Sequence, residues 1–171
     1  MRCLLIALFV VFCIGPHLAA AAPDASPEDM VDQNGLMHKA GEAAPFTGMV
    51  RDFHPSGKPR LEARYEAGKL VSSTVWYASG QKAEEVSVAS DTWTIRRFGE
   101  TGRLEQETVA HFKDGHKVSE QTKRWDESGT LRTETGFENG KLQGELKEYS
   151  PAGALVRDEI YNQGVLVKKL K

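Results

Sequence analysis

Five carboxylates recur at one spacing. Glu62, Glu85, Glu107, Glu134 and Asp158 each stand five residues after a glycine, at Gly57, Gly80, Gly102, Gly129 and Gly153. If those glycines mark the turns of successive hairpins, equivalent acids lie two strands apart, about 10 Å at the usual strand spacing. That is near the wide end of the ~6.5–9.5 Å that separates the two carboxyls of an inverting glycosidase. A carbohydrate-active enzyme built on this row is therefore one alternative. The other is a solvated row interleaved with cations such as Arg64, Arg132 and Lys147. A position repeated five times seldom holds a unique catalytic pair, so the structural alternative is preferred.

His111 and His116 flank Asp114-Gly115. Two imidazoles across a turn are two metal ligands, but zinc takes three or four, and only Asp114 is near. Solvated turn histidines fit better, and no metal or cofactor is expected. His38 and His54 stand alone. No Gly-x-Ser-x-Gly elbow, phosphate-binding glycine loop or His-Glu-x-x-His occurs. The large aromatics Trp76, Tyr77, Trp93, Phe98, Trp125 and Tyr149 lie at or near the glycine turns. They either pack adjacent hairpins together or form the centre of a protein or glycan contact, for which Trp and Tyr are typical anchors. Trp93 is singled out, because it falls in the least regular part of the repeat.

The elements that position these groups are written in the glycines. Those five first-turn glycines are 23, 22, 27 and 24 residues apart. The clearest doublet is Trp125 to Leu166, one unit written twice with an offset of 24. A fixed period of this size signals stacked supersecondary units. HPSG, DESG and SPAG around Gly57, Gly129 and Gly153 have the composition of type I turns, with Pro55 and Pro151 at the second position. A second series, Gly68, Gly115, Gly140 and Gly164, includes Asp-Gly and Asn-Gly pairs that favour two-residue type I′ hairpins. Such hairpins oppose Phe137 to Leu142, Tyr65 to Leu70, Tyr161 to Leu166 and Phe112 to Lys117. After Gly80 the second glycine is missing, and Ala89-Ser90-Asp91 must turn the chain. The spacing from Leu142 to Tyr149 is one residue longer than from Leu70 to Trp76, which calls for a bulge near a turn. The expectation is an all-β antiparallel meander of repeated hairpins, about ten strands in one elongated twisted sheet.

Residues 1–21 read as a cleavable signal peptide: Arg2, an apolar run from Cys3 to Gly15, and small residues ending in Ala19-x-Ala21. The apolar run is shorter than the ~20 residues of a spanning helix, so no stable membrane anchor remains after cleavage. Both cysteines, Cys3 and Cys13, lie in that segment, which leaves no disulfide or thiolate chemistry in residues 22–171. Without Arg2 there are 21 basic and 24 acidic residues, a balance that does not point to nucleic acid. Residues 22–33 read as a flexible arm in which Ser26-Pro27 offers the start of a single helical turn. Asn34-Gly35 opens the repeat domain, 34–171, and Leu36 to Lys39 is a short strand candidate.

Asn34-Gly35-Leu36, Pro45-Phe46-Thr47-Gly48 and Phe137-Glu-Asn-Gly-Lys-Leu142, the best copy of the recurring aromatic-Gly-Leu pattern, resemble MORN-repeat-variant proteins, the bacterial family labelled YwqK-type antitoxins. The resemblance runs from Asn34 to about Leu166 and implies a hairpin meander with binding or antitoxin roles and no known active site. The expected function is an exported, non-catalytic protein-interaction module in the periplasm or outside the cell, its partner another protein. An immunity protein for an envelope-acting toxin is the alternative that the resemblance implies.

Overall fold

In a computed structural model that describes residues 24–171, one turn recurs five times. Its first residue is His54, Tyr77, Gly99, Asp126 or Ser150, and its fourth is a glycine whose N–H donates to the first residue's carbonyl at 2.8–2.9 Å. The first residue's N–H then donates to the carbonyl after the glycine, His54 to Lys58 and likewise in each copy. This is a type I turn closed by a left-handed residue, the commonest three-residue hairpin loop. The second glycine series makes the other hairpin. Asn139 and Gly140 take φ 48° and 77°, the paired left-handed conformations of a type I′ turn.

The two turns alternate and lay down a meander. Its strands are β1 (Asp24–Ala25), β4 (Gly48–Phe53), β5 (Pro59–Glu66), β6 (Lys69–Trp76), β7 (Lys82–Ala89), β8 (Thr92–Phe98), β9 (Leu104–Lys113), β10 (His116–Trp125), β11 (Leu131–Glu138), β12 (Lys141–Tyr149), β13 (Leu155–Asn162) and β14 (Val165–Lys169). They form one 12-stranded sheet in which β4 to β14 follow chain order, every neighbour antiparallel. Adjacent strands lie about 4.8 Å apart, so the sheet extends for about 50 Å across its strands. A separate two-stranded hairpin pairs β2 (Met30–Gln33) with β3 (Leu36–Lys39). The described residues contain no α-helix. The all-β repeated-hairpin fold is as expected, with twelve strands in the main sheet where about ten were anticipated.

The anticipated pairings Phe137–Leu142, Tyr65–Leu70, Tyr161–Leu166 and Phe112–Lys117 are all present. Ser90, with φ 54°, turns the chain between Ala89 and Thr92 where the glycine is missing. The bulge lies in β12, where Gln143, Gly144 and Glu145 together face Gly136. Gly144 takes φ 78°, and a Cβ on Gly136 would stand 2.6 Å from the Gln143 carbonyl oxygen, so the bulge needs both glycines.

Of residues 24–33, expected as part of a flexible arm, Asp24–Ala25 join the main sheet and Met30–Gln33 pair with β3. β1 runs parallel to β4, and a 3₁₀ turn over Pro27–Asp29 follows, with the Ser26 hydroxyl donating to the Asp29 carboxylate at 2.8 Å. The boundary placed at Asn34 falls inside the β2–β3 hairpin, since Gln33 pairs with Leu36. The physical reason is apolar burial. Ala25, Phe46, Val50 and Ala63 form a buried cluster, with Met30, Leu61, Tyr65 and Leu70 packed against it. Phe46 meets Tyr65 edge-on at 6.3 Å. The hairpin is further tied down through Met37 N–H to Gly68 O at 2.9 Å and Phe46 N–H to Met37 O at 2.8 Å. Beyond this end the sheet is a single layer whose side chains are mostly half-buried. The proposed signal segment, residues 1–21 with both cysteines, lies outside the described residues.

Candidate functional site

The residue just before each type I turn is aromatic: Phe53, Trp76, Phe98, Trp125 and Tyr149. Their registers are equivalent. They pair with Pro59, Lys82, Leu104, Leu131 and Leu155, and each following strand leaves one extra residue unpaired, at Arg60, Ala83, Glu105, Arg132 and Val156. A bulge repeated at the same place keeps the rings on one face and along one edge. Four of the six anticipated aromatics, Trp76, Phe98, Trp125 and Tyr149, thus fall in one line, and Tyr77 sits in the adjoining turn. Phe53, 55% exposed, completes the series. It was missed, although its position four residues before Gly57 is the same signal that marks Trp125 before Gly129.

Successive turns are laced together. His54 Nε2 lies 3.0 Å from the Trp76 carbonyl oxygen, the Tyr77 hydroxyl donates to the Phe98 carbonyl at 2.8 Å, and Arg132 Nε donates to the Tyr149 carbonyl at 2.8 Å. Three of the five ring positions therefore have their backbone held by the turn or strand beside them. Trp93 is elsewhere. It pairs with Val88 and Ala110 near the type I′ edge and packs on Phe112 with ring centroids 5.2 Å apart. Ala110 beneath it is 1% exposed, so Trp93 covers the sheet and does not share the aromatic line.

Two residues inward from the rings, on the same face, runs the acid row. Cross-strand register places Arg51, Glu62, Thr74, Glu85, Arg96, Glu107, Lys123, Glu134, Lys147 and Asp158 directly opposite one another on ten consecutive strands. Charges alternate along this row except at Thr74. The interleaving cations are Arg51, Arg96, Lys123 and Lys147. The expected Arg64 and Arg132 are instead occupied by Glu66 and Asp126. Arg51 reaches Glu62 at 3.3 Å, Arg96 reaches Glu107 at 2.8 Å and Lys123 reaches Glu134 at 3.4 Å, while Lys82 pairs with Glu85.

Tyr149 joins the rings to this row, its hydroxyl donating to Glu134 Oε1 at 2.7 Å. That hydrogen bond, helped by Lys123, holds the Glu134 carboxyl below its ordinary pKa and raises the Tyr149 phenol. A general acid at neutral pH needs a carboxyl shifted upward, the opposite of Glu134. At the far end of the other face, Glu159 is buried and receives Arg157 at 2.7 Å and the Tyr161 hydroxyl at 2.8 Å, and these lower its pKa. His111 and His116 are exposed, and His111 Nδ1 lies 3.0 Å from the Thr92 hydroxyl. Among the described residues no group of three or more His, Cys, Asp or Glu is arranged to hold a metal ion. What the edge can do is bind: it offers apolar rings at fixed intervals, Phe53 exposed and Trp76, Phe98, Trp125 and Tyr149 half-buried, beside a row of charged hydrogen-bonding groups.

No protein-family model matches the chain, and no curated protein is significantly similar to it.

Proposed function

We propose that this chain is an exported, non-catalytic protein-interaction module of the MORN-repeat-variant kind, and that it holds a protein partner along its aromatic edge. The observation that carries this is the line of five equivalent rings on one face of a single-layer sheet. Packing alone does not call for it, because the buried cluster lies at the other edge and the N-terminal end. Trp and Tyr in a row are the residues that anchor interfaces, and a repeat sheet offers length for contact. The carboxylates next to the rings are engaged with cations, which suits a rim that excludes water and orients a partner more than it suits proton transfer.

The test is retention from an envelope fraction by the chain, with the retained protein identified and the binding repeated with both purified components. The same measurement is made with Trp76, Trp125 and Tyr149 replaced by Ala. Retention lost in the ring variant, with the fold intact by circular dichroism, is the expected result. Equal retention by both forms, or none by either, refutes the reading.

A further inference from the structure

Resting on the reading of the aromatic edge as a binding surface, we propose that its occupant is a proline-rich segment in the polyproline II conformation, lying across the strands with one helical turn per hairpin. The argument is one of matched repeats. The rings at Phe53, Trp76, Phe98, Trp125 and Tyr149 sit at one register on alternate strands, so they recur every ~9.6 Å. Polyproline II has three residues per turn at ~3.1 Å rise, which brings the same side of the ligand round every ~9.3 Å. An extended β peptide shows the same side every ~6.8 Å and loses step after one ring. The spacing selects the first backbone shape over the second.

The floor between the rings points the same way. Leu104 lies on the strand between Phe98 and Trp125, and Leu131 on the strand between Trp125 and Tyr149, while between Trp76 and Phe98 the equivalent residue is Lys82, which offers only its methylene stem as apolar floor. Leu104 and Trp125 line one shallow depression with Arg103, Ser128 and Gly129. A pyrrolidine ring set between two aromatics over leucine meets only apolar atoms. Polyproline II leaves all its own carbonyls unbonded, and Arg103, which spends one N–H on the Glu127 carbonyl, keeps further N–H groups at the depression as donors. The ligand is already in its bound shape, so little conformational entropy is lost on docking.

Trp76 to Tyr149 spans three intervals, about 29 Å, or about nine residues of polyproline II. The test titrates the full chain with a nine-residue oligoproline, read by tryptophan fluorescence and calorimetry. Triproline, a nine-residue Gly-Ser peptide and a six-unit β-linked glucan are titrated alongside. The nonamer is expected to bind at least tenfold more tightly than triproline, and the other two not at all. Trp125→Ala is expected to weaken it at least tenfold, and Trp93→Ala, at the far edge, to leave it unchanged. Should Trp125→Ala fail to fold, Leu104→Gln alters the floor alone and carries the same expectation. Affinity independent of peptide length, insensitivity to Trp125→Ala and Leu104→Gln, or preference for the glucan overturns the proposal. If oligoproline fails while the envelope partner is still retained through the rings, the binding edge stands and only this occupant falls. If ring-dependent retention fails too, both fall.

Discussion

Replacing Phe46 by Ala should detach one end of the molecule and leave the other in place. Phe46 is 5% exposed and is the largest member of the cluster that joins the N-terminal hairpin to β4, β5 and β6. Burying a Phe side chain contributes ~1.5–3 kcal/mol, and the cavity left behind raises the cost of Phe→Ala to ~3–5 kcal/mol. Here the neighbours Met30, Leu61, Tyr65 and Leu70 are only partly buried and free to collapse inward, which favours the low end, about 3 kcal/mol. At ~1.4 kcal/mol per tenfold, that is about a hundredfold in the local opening equilibrium. The readout is amide hydrogen exchange at the Met37, Phe46 and Gly68 N–H groups, which bond Gly68, Met37 and Phe46 carbonyls. In a repeat sheet each hairpin contacts only its neighbours, so loss at one end does not travel far. Amides of β10 to β13 should keep their protection to within about twofold. A uniform loss of protection through β13 would refute the reasoning, because it would mean that the sheet unfolds as one cooperative block.

Three further outcomes follow from single contacts. Gly136→Ala drives a Cβ to 2.6 Å from the Gln143 carbonyl and should cost about 2–3 kcal/mol in urea unfolding, against about 1 kcal/mol for Gly140→Ala, where nothing lies within 4 Å. Thr108 and Thr122 share a buried hydroxyl bond of 2.9 Å, so Thr122→Val alone should destabilise by about 1 kcal/mol, while the double Val variant should recover most of that loss in the same assay. Glu134 has its pKa lowered in the folded chain below its ordinary value of 4.5, chiefly by the Tyr149 hydroxyl, so its contribution is present above that value and is lost as pH falls through the lower, folded pKa. Tyr149→Phe should therefore cost about 1 kcal/mol near neutrality, and melting temperatures of the variant and the parent should converge as the buffer is taken well below pH ~4.5.

Turn chemistry is local, and for that reason it was legible. Asn139-Gly140 selects a type I′ hairpin within four residues, and the pairing of Phe137 with Leu142 then follows by counting. The same counting gave every second-turn pair and the chain reversal at Ser90. The need for a bulge was legible in the spacing from Leu142 to Tyr149, but its place was not, because an extra residue does not show which position it occupies until a partner strand is laid beside it. The one in β12 is visible in hindsight as Gly136 and Gly144, two glycines with no turn to make.

Period and residue type by themselves determined the hairpin meander, the aromatic before each first turn and the acid after it. Only tertiary structure decided which side chains meet. It set the acids opposite Arg51, Arg96, Lys123 and Lys147, the last of which pairs with Glu145 on its own strand, and sent Trp93 to the opposite edge from Trp125. It also folded residues 24–46 back over Val50 and Ala63. The reason is range. A turn is settled by the dihedral preferences of a few adjacent residues, whereas a cross-strand neighbour depends on register summed over every bulge between, and a docked segment depends on apolar surface that exists only once the sheet is built.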